Sequence, residues 1–260
     1  MLTELKRETF GHARESALLL ARFLFPSRCL ACARQRLERI GQGGVCPGCW
    51  SGVERMPPHR CPICDEPRSE DALEPCGRCL LAPPPFAALS AAAPYRGTAR
   101  EILIAFKFRG ADYLARHLAD LMIRRLAVPA DLRRVTAVPA TRRARRVGDH
   151  AAELLGAAVA ARLQIPFEPR QLQKVRETER QSRLPLARRE SNVRAAFRAN
   201  RAPTGALLLV DDVATSGATA RECAARLREA GAGRVVVWCF ARASRQDADL
   251  EEAGPTPPEG

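Results

Sequence analysis

The chain has 260 residues, 46% of them apolar and 27% charged, a composition that suits a packed globular protein and excludes a chain disordered throughout. Its 42 basic and 29 acidic residues give a formal net charge of +13. No stretch approaches the ~20 uninterrupted apolar residues of a membrane-spanning helix. The nearest, Ala17 to Phe25, is broken by Arg22 and stops at Pro26, and it makes a poor signal core, so a cytoplasmic location is expected.

In chain order, residues 1–25 read as an amphipathic helix with Leu2, Leu5, Phe10, Ala13, Leu20 and Leu24 near helical spacing. Residues 26–85 differ in kind: they hold eight of the ten cysteines, with many Gly and Pro residues and little periodic apolar pattern. A segment so poor in core needs a covalent or metal staple. The cysteines form four Cys-x2-Cys pairs, Cys29/Cys32, Cys46/Cys49, Cys61/Cys64 and Cys76/Cys79. Each pair offers half of a tetrahedral thiolate site, so the set predicts two structural zinc centres in a double zinc ribbon. Sequential pairing is the simpler arrangement, and a crossed one is compatible with the same spacing. Closed four-thiolate sites leave no open coordination position and predict architecture, not hydrolysis. Four disulfides are the alternative, disfavoured in a compartment that keeps thiols reduced. Pro83-Pro84-Pro85 marks the boundary.

Residues 86–243 alternate helix and strand. Ile102, Leu103 and Phe106 share one helical face; Leu114, Leu118, Leu121, Met122 and Leu126 mark a second helix, and Leu154, Leu155, Ala158, Val159 and Leu163 a third. Apolar runs at Val135–Val138, Ala206–Val210 and Val235–Phe240 predict buried strands of a parallel α/β sheet. Cys223 and Cys239 fall in a helix and a strand and are expected in the core. Residues 244–260, with five acids and three prolines, are expected to be a disordered acidic tail.

The segment richest in chemistry is Ala206–Ala220. An apolar strand ends in Asp211 and Asp212, and a small-residue loop, Ala214-Thr215-Ser216-Gly217-Ala218-Thr219, leads into a helix. Open α/β sheets bind ligands at such a place. Backbone N–H groups, three hydroxyls and the positive end of the helix suit a phosphate, and Gly217 lets the backbone approach closely. Two carboxylates would repel that phosphate but suit vicinal hydroxyls or hydrated Mg²⁺, so the pattern describes a sugar phosphate site. A capped strand-to-helix turn explains the hydroxyls but leaves the paired acids without a role.

These residues resemble the ribose-5-phosphate loop of type I phosphoribosyltransferases. The likeness extends over residues 24–242 to the ComF family of competence-associated proteins. It takes in the Cys-x2-Cys module, Phe106-Lys107-Phe108-Arg109-Gly110, Val138-Pro139 before a basic loop, Arg176-x-Thr178-x-x-Gln181-x-x-Leu184, Arg189-x-x-Asn192 and Phe197. The resemblance implies a type I phosphoribosyltransferase-like (Rossmann-like) sheet flanked by helices and preceded by the small zinc module. It implies phosphoribosyl pyrophosphate (PRPP) with Mg²⁺ as ligand, or another ligand containing ribose 5-phosphate, with Asp211 and Asp212 as the catalytic pair. Arg142, Arg143, Arg145 and Arg146 would form the pyrophosphate loop, and Lys174, Arg176, Arg180 and Arg183 a lid. One departure is clear: ComF-like sequences commonly read Arg-Gly-Phe-Asn-Gln where this chain has Val147-Gly148-Asp149-His150-Ala151. His150 reads as a structural residue at a helix start, and Lys107 as either a surface-covering lysine or a phosphate contact.

The charge fits this scheme. Residues 133–201 hold 17 basic and 6 acidic groups, an excess that marks a diphosphate site or, as an alternative, a solvated arginine face. Two functions follow: an active phosphoribosyltransferase, or a non-catalytic accessory of DNA uptake that senses PRPP or binds single-stranded DNA or the uptake helicase machinery. Only 5% of residues are aromatic, which argues against sequence-specific reading of DNA. The acceptor base and the oligomeric state have no legible signature.

Overall fold

The computed structural model describes residues 28–37, 44–69, 74–140, 150–176, 193, 195–202 and 204–243. The predicted N-terminal helix and acidic tail lie outside these residues. The chain divides into two compact units, residues 1–52 and 53–260. The first contains Cys29, Cys32, Cys46 and Cys49 and one short helix, α1 (Pro47–Ser51).

The second unit begins with the remaining four-cysteine knuckle, which includes the short helix α2 (Gly77–Leu81). It continues through β1 (Ala88–Pro94), α3 (Gly97–Phe108), α4 (Ala115–Arg125), β2 (Leu132–Ala137) and α5 (Ala151–Leu163). Next come β3 (Leu172–Lys174), β4 (Phe197–Ala199), β5 (Ala206–Ala214), α6 (Ala218–Glu229) and β6 (Arg234–Arg242). Four strands form a parallel sheet in the order β1-β6-β5-β2, and β3 pairs antiparallel with β4.

β5 and β6 are central and buried on both faces, which is why Ala-Leu-Leu-Leu-Val and Val-Val-Val-Trp-Cys-Phe run apolar without alternation. On one face Leu207, Leu209, Val235, Val237 and Cys239 pack with Cys223, Ala224 and Leu227 of α6, so both isolated cysteines are core residues. On the other side α4 meets β1 and β6, and α5 meets β2 and β5. Gly156 lets α5 approach closely, since a Cβ there would sit 3.0 Å from the Phe167 ring and 3.1 Å from the Ala137 Cβ.

The three helices and three strands read from periodicity are present, with two differences in extent and two additions. β5 continues four residues beyond Val210 because β6 keeps pairing with it, Asp211 opposite Cys239 and Ala214 opposite Arg242. β2 pairs with β5 only as far as Ala137 opposite Val210. The unanticipated strand β1, Ala-Leu-Ser-Ala-Ala-Ala-Pro, has no β-branched or aromatic residue and gives no local strand signal. The β3–β4 pair joins residues more than twenty positions apart and likewise has no local signature.

The four-cysteine knuckle of this unit follows the outer side of β1: Leu89 N–H donates to Ile63 O at 2.7 Å and Ala91 N–H to the Asp65 carboxylate at 2.8 Å. Arg125 at the end of α4 ties the same region together, its guanidinium donating to Val53 O and Glu54 O at 2.7 Å and to Ala92 O at 3.0 Å. Arg125→Leu would leave three carbonyls without this donor and is expected to lower the unfolding free energy by about 2–3 kcal/mol. The check is the urea midpoint at unchanged slope.

Candidate functional site

The cysteines assemble sequentially. Cys29, Cys32, Cys46 and Cys49 form one cluster and Cys61, Cys64, Cys76 and Cys79 the other, with all sulfurs of a cluster within 4.8 Å of one another. The two are built alike. In each, the first pair is followed by a residue in left-handed conformation, Ala33 (φ 55) or Asp65 (φ 62). In each, the third cysteine donates its N–H to the sulfur of the first at 3.3 Å, Cys46 to Cys29 and Cys76 to Cys61, and then opens α1 or α2.

Backbone N–H groups of Gln35 and Arg34 lower the Cys32 thiol to about 6. Burial works against ionisation of Cys61, yet the N–H groups of Cys76, Cys64 and Ile63 bring it to about 6 as well. Burial and neighbouring thiols push Cys49 and Cys79 up. Sulfurs this close repel one another as thiolates, so full ionisation requires a cation among them. Both sets fit structural zinc.

The second centre has cationic neighbours. Arg78 donates to Cys64, and the charge of Arg242 favours the Cys64 thiolate against a strong burial penalty. Arg242 is 1% exposed and pairs with Glu66, while its Nε and Nη1 are buried without a partner in the structure. Asp65 bonds Ala91 N–H and pairs with Arg60 at 2.9 Å, and burial raises its carboxyl to about 6. Arg242 escaped sequence reading, because it is 163 or more positions from the second-centre cysteines.

The acidic pair lies where β5 outruns β2. Asp211 and Asp212 follow the last β2-paired residue, Val210, and α6 begins at Ala218 after Gly217, whose φ of 76 is the left-handed cap that the loop requires. Ser216 Oγ accepts from Ala218 N–H at 3.3 Å. Asp211 accepts from Asp212 N–H at 2.9 Å, and Asp212 from Val213 N–H at 2.7 Å, which fixes both carboxylates against the strand.

Lys107, near the end of α3, puts its ammonium 2.5 Å from the Asp212 carboxylate and 5.9 Å from the centre of the Phe108 ring. Neither expectation included this ion pair, which makes Lys107 an intramolecular counterion of the acidic pair. Burial opposes the charge of Asp212, but Lys107 outweighs it and holds that carboxyl below its ordinary range. Burial and the charge of Asp212 together push Asp211 up to about 8. Ionisation is thus disfavoured at Asp211 and favoured at Asp212, the carboxylate matched by an ammonium.

The loop residues Ala214, Thr215, Ser216, Gly217, Ala218 and Thr219 are contiguous with this pair in β5 and α6. Lys174 lies in β3 with its ammonium 5.6 Å from the Phe197 ring, and Arg176 follows on the same segment. Arg142, Arg143, Arg145, Arg146, Arg180 and Arg183 lie outside the described residues. His150 precedes α5, accepts from Glu153 and Leu154 N–H and stands 3.9 Å from Asp112. No helix among the described residues is long and apolar enough to cross a membrane.

Residues 20–80 match the double zinc ribbon domain. The "DNA utilization protein YhgH" of Salmonella typhi is 32% identical over 228 residues, covering 84% of this chain and 97% of that one. "Competence protein F" of Haemophilus influenzae is 30% identical over 233 residues, covering 84% and 98%. Among solved structures, glutamine PRPP amidotransferase from B. subtilis aligns with a TM-score of 0.36 at 30% identity, over 50% of this chain and 26% of that one. Adenine phosphoribosyltransferase from Leishmania tarentolae aligns with a TM-score of 0.33 at 15% identity, over 54% and 74%.

Two predictions follow from the geometry. Each four-cysteine set is expected to hold one zinc ion, so elemental analysis should find about two per chain and about one in Cys76→Ser. Between the ordinary carboxylate range and about 8, the native state keeps a proton on Asp211 that the unfolded chain has released, so this group's contribution to stability is lost as pH rises through that window. Asp211→Asn has no such proton, and its melting temperature relative to wild type should climb between about pH 5 and about pH 8.

Proposed function

The chain belongs to the ComF family, competence-associated proteins that join a double zinc ribbon to a type I phosphoribosyltransferase-like domain, and from that membership we propose that its sheet domain binds PRPP with Mg²⁺ and transfers the phosphoribosyl group to a nitrogen base. The observation that carries this reading is the acidic pair Asp211 and Asp212 followed at once by a Gly217-capped loop into α6. The 5-phosphate is received by the N–H groups and hydroxyls of residues 214–219 at the positive end of the helix. The ribose hydroxyls meet the side chains of Asp211 and Asp212.

Hydrated Mg²⁺ takes oxygen ligands. Because Lys107 already meets Asp212, the ion would hold to the ligand's own oxygens and neutralise the leaving diphosphate. Chemistry at the anomeric carbon then consists of a C–N bond formed to the base and the C–O bond to pyrophosphate broken, through an oxocarbenium-like transition state. Positioning and charge stabilisation suffice, and no side-chain nucleophile is required. Arg142, Arg143, Arg145 and Arg146 are the proposed diphosphate donors, and Lys174, Arg176, Arg180 and Arg183 the proposed cover over the substrate.

PRPP with Mg²⁺ is expected to raise the melting temperature of the wild-type protein. Asp211→Asn combined with Asp212→Asn should abolish the rise in a thermal-shift titration. No shift at millimolar ligand would reject the reading.

A second reading, a cytoplasmic accessory of DNA uptake without turnover, is favoured by the excess of 11 positive charges in residues 133–201. It predicts binding to single-stranded DNA that weakens steeply with salt and weakens further when Arg142, Arg143, Arg145 and Arg146 are replaced. Fluorescence anisotropy over a salt series measures it, and no binding at low salt rejects it.

A further inference from the structure

Phe108 is a large aromatic residue left in water at the end of α3. Phe106, two positions earlier, is 2% exposed and packs on the helix's buried face with Ala99, Ile102, Leu103 and Ala105, whereas Phe108 is 58% exposed. The helix stops there, with Arg109 as its cap and Gly110 turning the chain at φ 64. Phe108 thus sits at a fixed corner, on neither the core face nor a free loop.

Its place relative to the acidic pair is specific. The ring centre is 5.9 Å from the Lys107 ammonium, which is itself 2.5 Å from the Asp212 carboxylate. One side chain therefore joins an exposed aromatic ring to the group proposed to hold the ribose hydroxyls. The ammonium restrains the ring through a cation–π contact and the carboxylate through an ion pair, so the three form one assembly. An aliphatic ligand would call for an apolar groove. A single open ring flanked by charges suits a flat heteroaromatic partner, which stacks on its face and places polar edges toward the charged groups.

We propose that Phe108 is the stacking surface for a planar heteroaromatic base at this site. This rests on the sugar-phosphate reading above: a base on, or approaching, the anomeric carbon lies one bond from the ring whose hydroxyls meet Asp211 and Asp212. The same chemistry is offered by a free base entering as acceptor and by a base of a single-stranded nucleic acid. Phe108 acts as a specificity and positioning residue and moves no proton.

The test uses the full-length zinc-loaded protein and the variants Phe108→Trp and Phe108→Leu, both at a solvent-exposed position and both checked for an unchanged ligand-free melting temperature. The tryptophan at 108 reports stacking by quenching of its emission. The probes are adenine, hypoxanthine and uracil, each with PRPP and Mg²⁺, and separately a short oligodeoxythymidylate. Saturable quenching is expected, with Phe108→Leu binding the same probe about tenfold more weakly than wild type and Phe108→Trp restoring the affinity.

Quenching by a free base in the presence of PRPP assigns the surface to the acceptor, and quenching by the oligonucleotide assigns it to a strand. No quenching by either, or equal affinity in Phe108→Leu and wild type, overturns the proposal. The PRPP-induced thermal shift of the wild-type protein is scored separately. A shift without quenching rejects the stacking surface alone, and quenching by the oligonucleotide without a shift rejects the sugar-phosphate reading alone.

Discussion

The parallel pairing of β5 with β6 is the constraint on which the rest of the second unit depends. Its register runs unbroken from Ala206 opposite Arg234 to Ala214 opposite Arg242, while β2 releases β5 at Val210. Past that point β5 is held on the β6 side, and Asp211, Asp212 and the loop to α6 follow the last residue that β2 pairs. A shift of the β5–β6 register by one residue would turn Leu207 and Leu209 off the α6 face and move the carboxylates with them. Burial of the core and placement of the acidic pair are therefore one structural fact.

The electrostatics follow from that placement. Two adjacent carboxylates near the C-terminal end of a buried strand cannot both ionise cheaply, so Lys107 meets one and burial holds the other toward its neutral form. The same lysine lies over Phe108, so the end of α3 and the end of β5 meet although they are about a hundred positions apart in the chain.

Much of this was legible in the sequence because the signals were local. Four Cys-x2-Cys pairs announced the two metal centres, and strand, acids, small-residue loop and helix followed one another without interruption from Ala206. What escaped reading was non-local or chemically quiet. The alanine-rich β1 is a strand because β6 lies beside it. The pairing of Lys107 with Asp212 has no local signal, since the two are 105 positions apart. Arg242 reads as an ordinary arginine closing a strand, and only the fold brings it to Glu66 and Cys64. The candidate pyrophosphate arginines remain a matter of sequence, since they lie outside the described residues.

The hydrogen bonds from Leu89 to Ile63 and from Ala91 to Asp65 have a consequence for the edge of the sheet. β1 is the outermost strand of its sheet, and an uncovered strand of that kind offers its backbone to any other chain. Here the second four-cysteine knuckle takes up those groups, and Asp65 does so with a charged side chain that no incoming strand reproduces. A chain trimmed at the triple proline would keep every residue of the sheet and lose this cover. The knuckle thus covers the sheet edge as well as gathering four thiols, and its loss would open the β1 backbone to pairing with another chain.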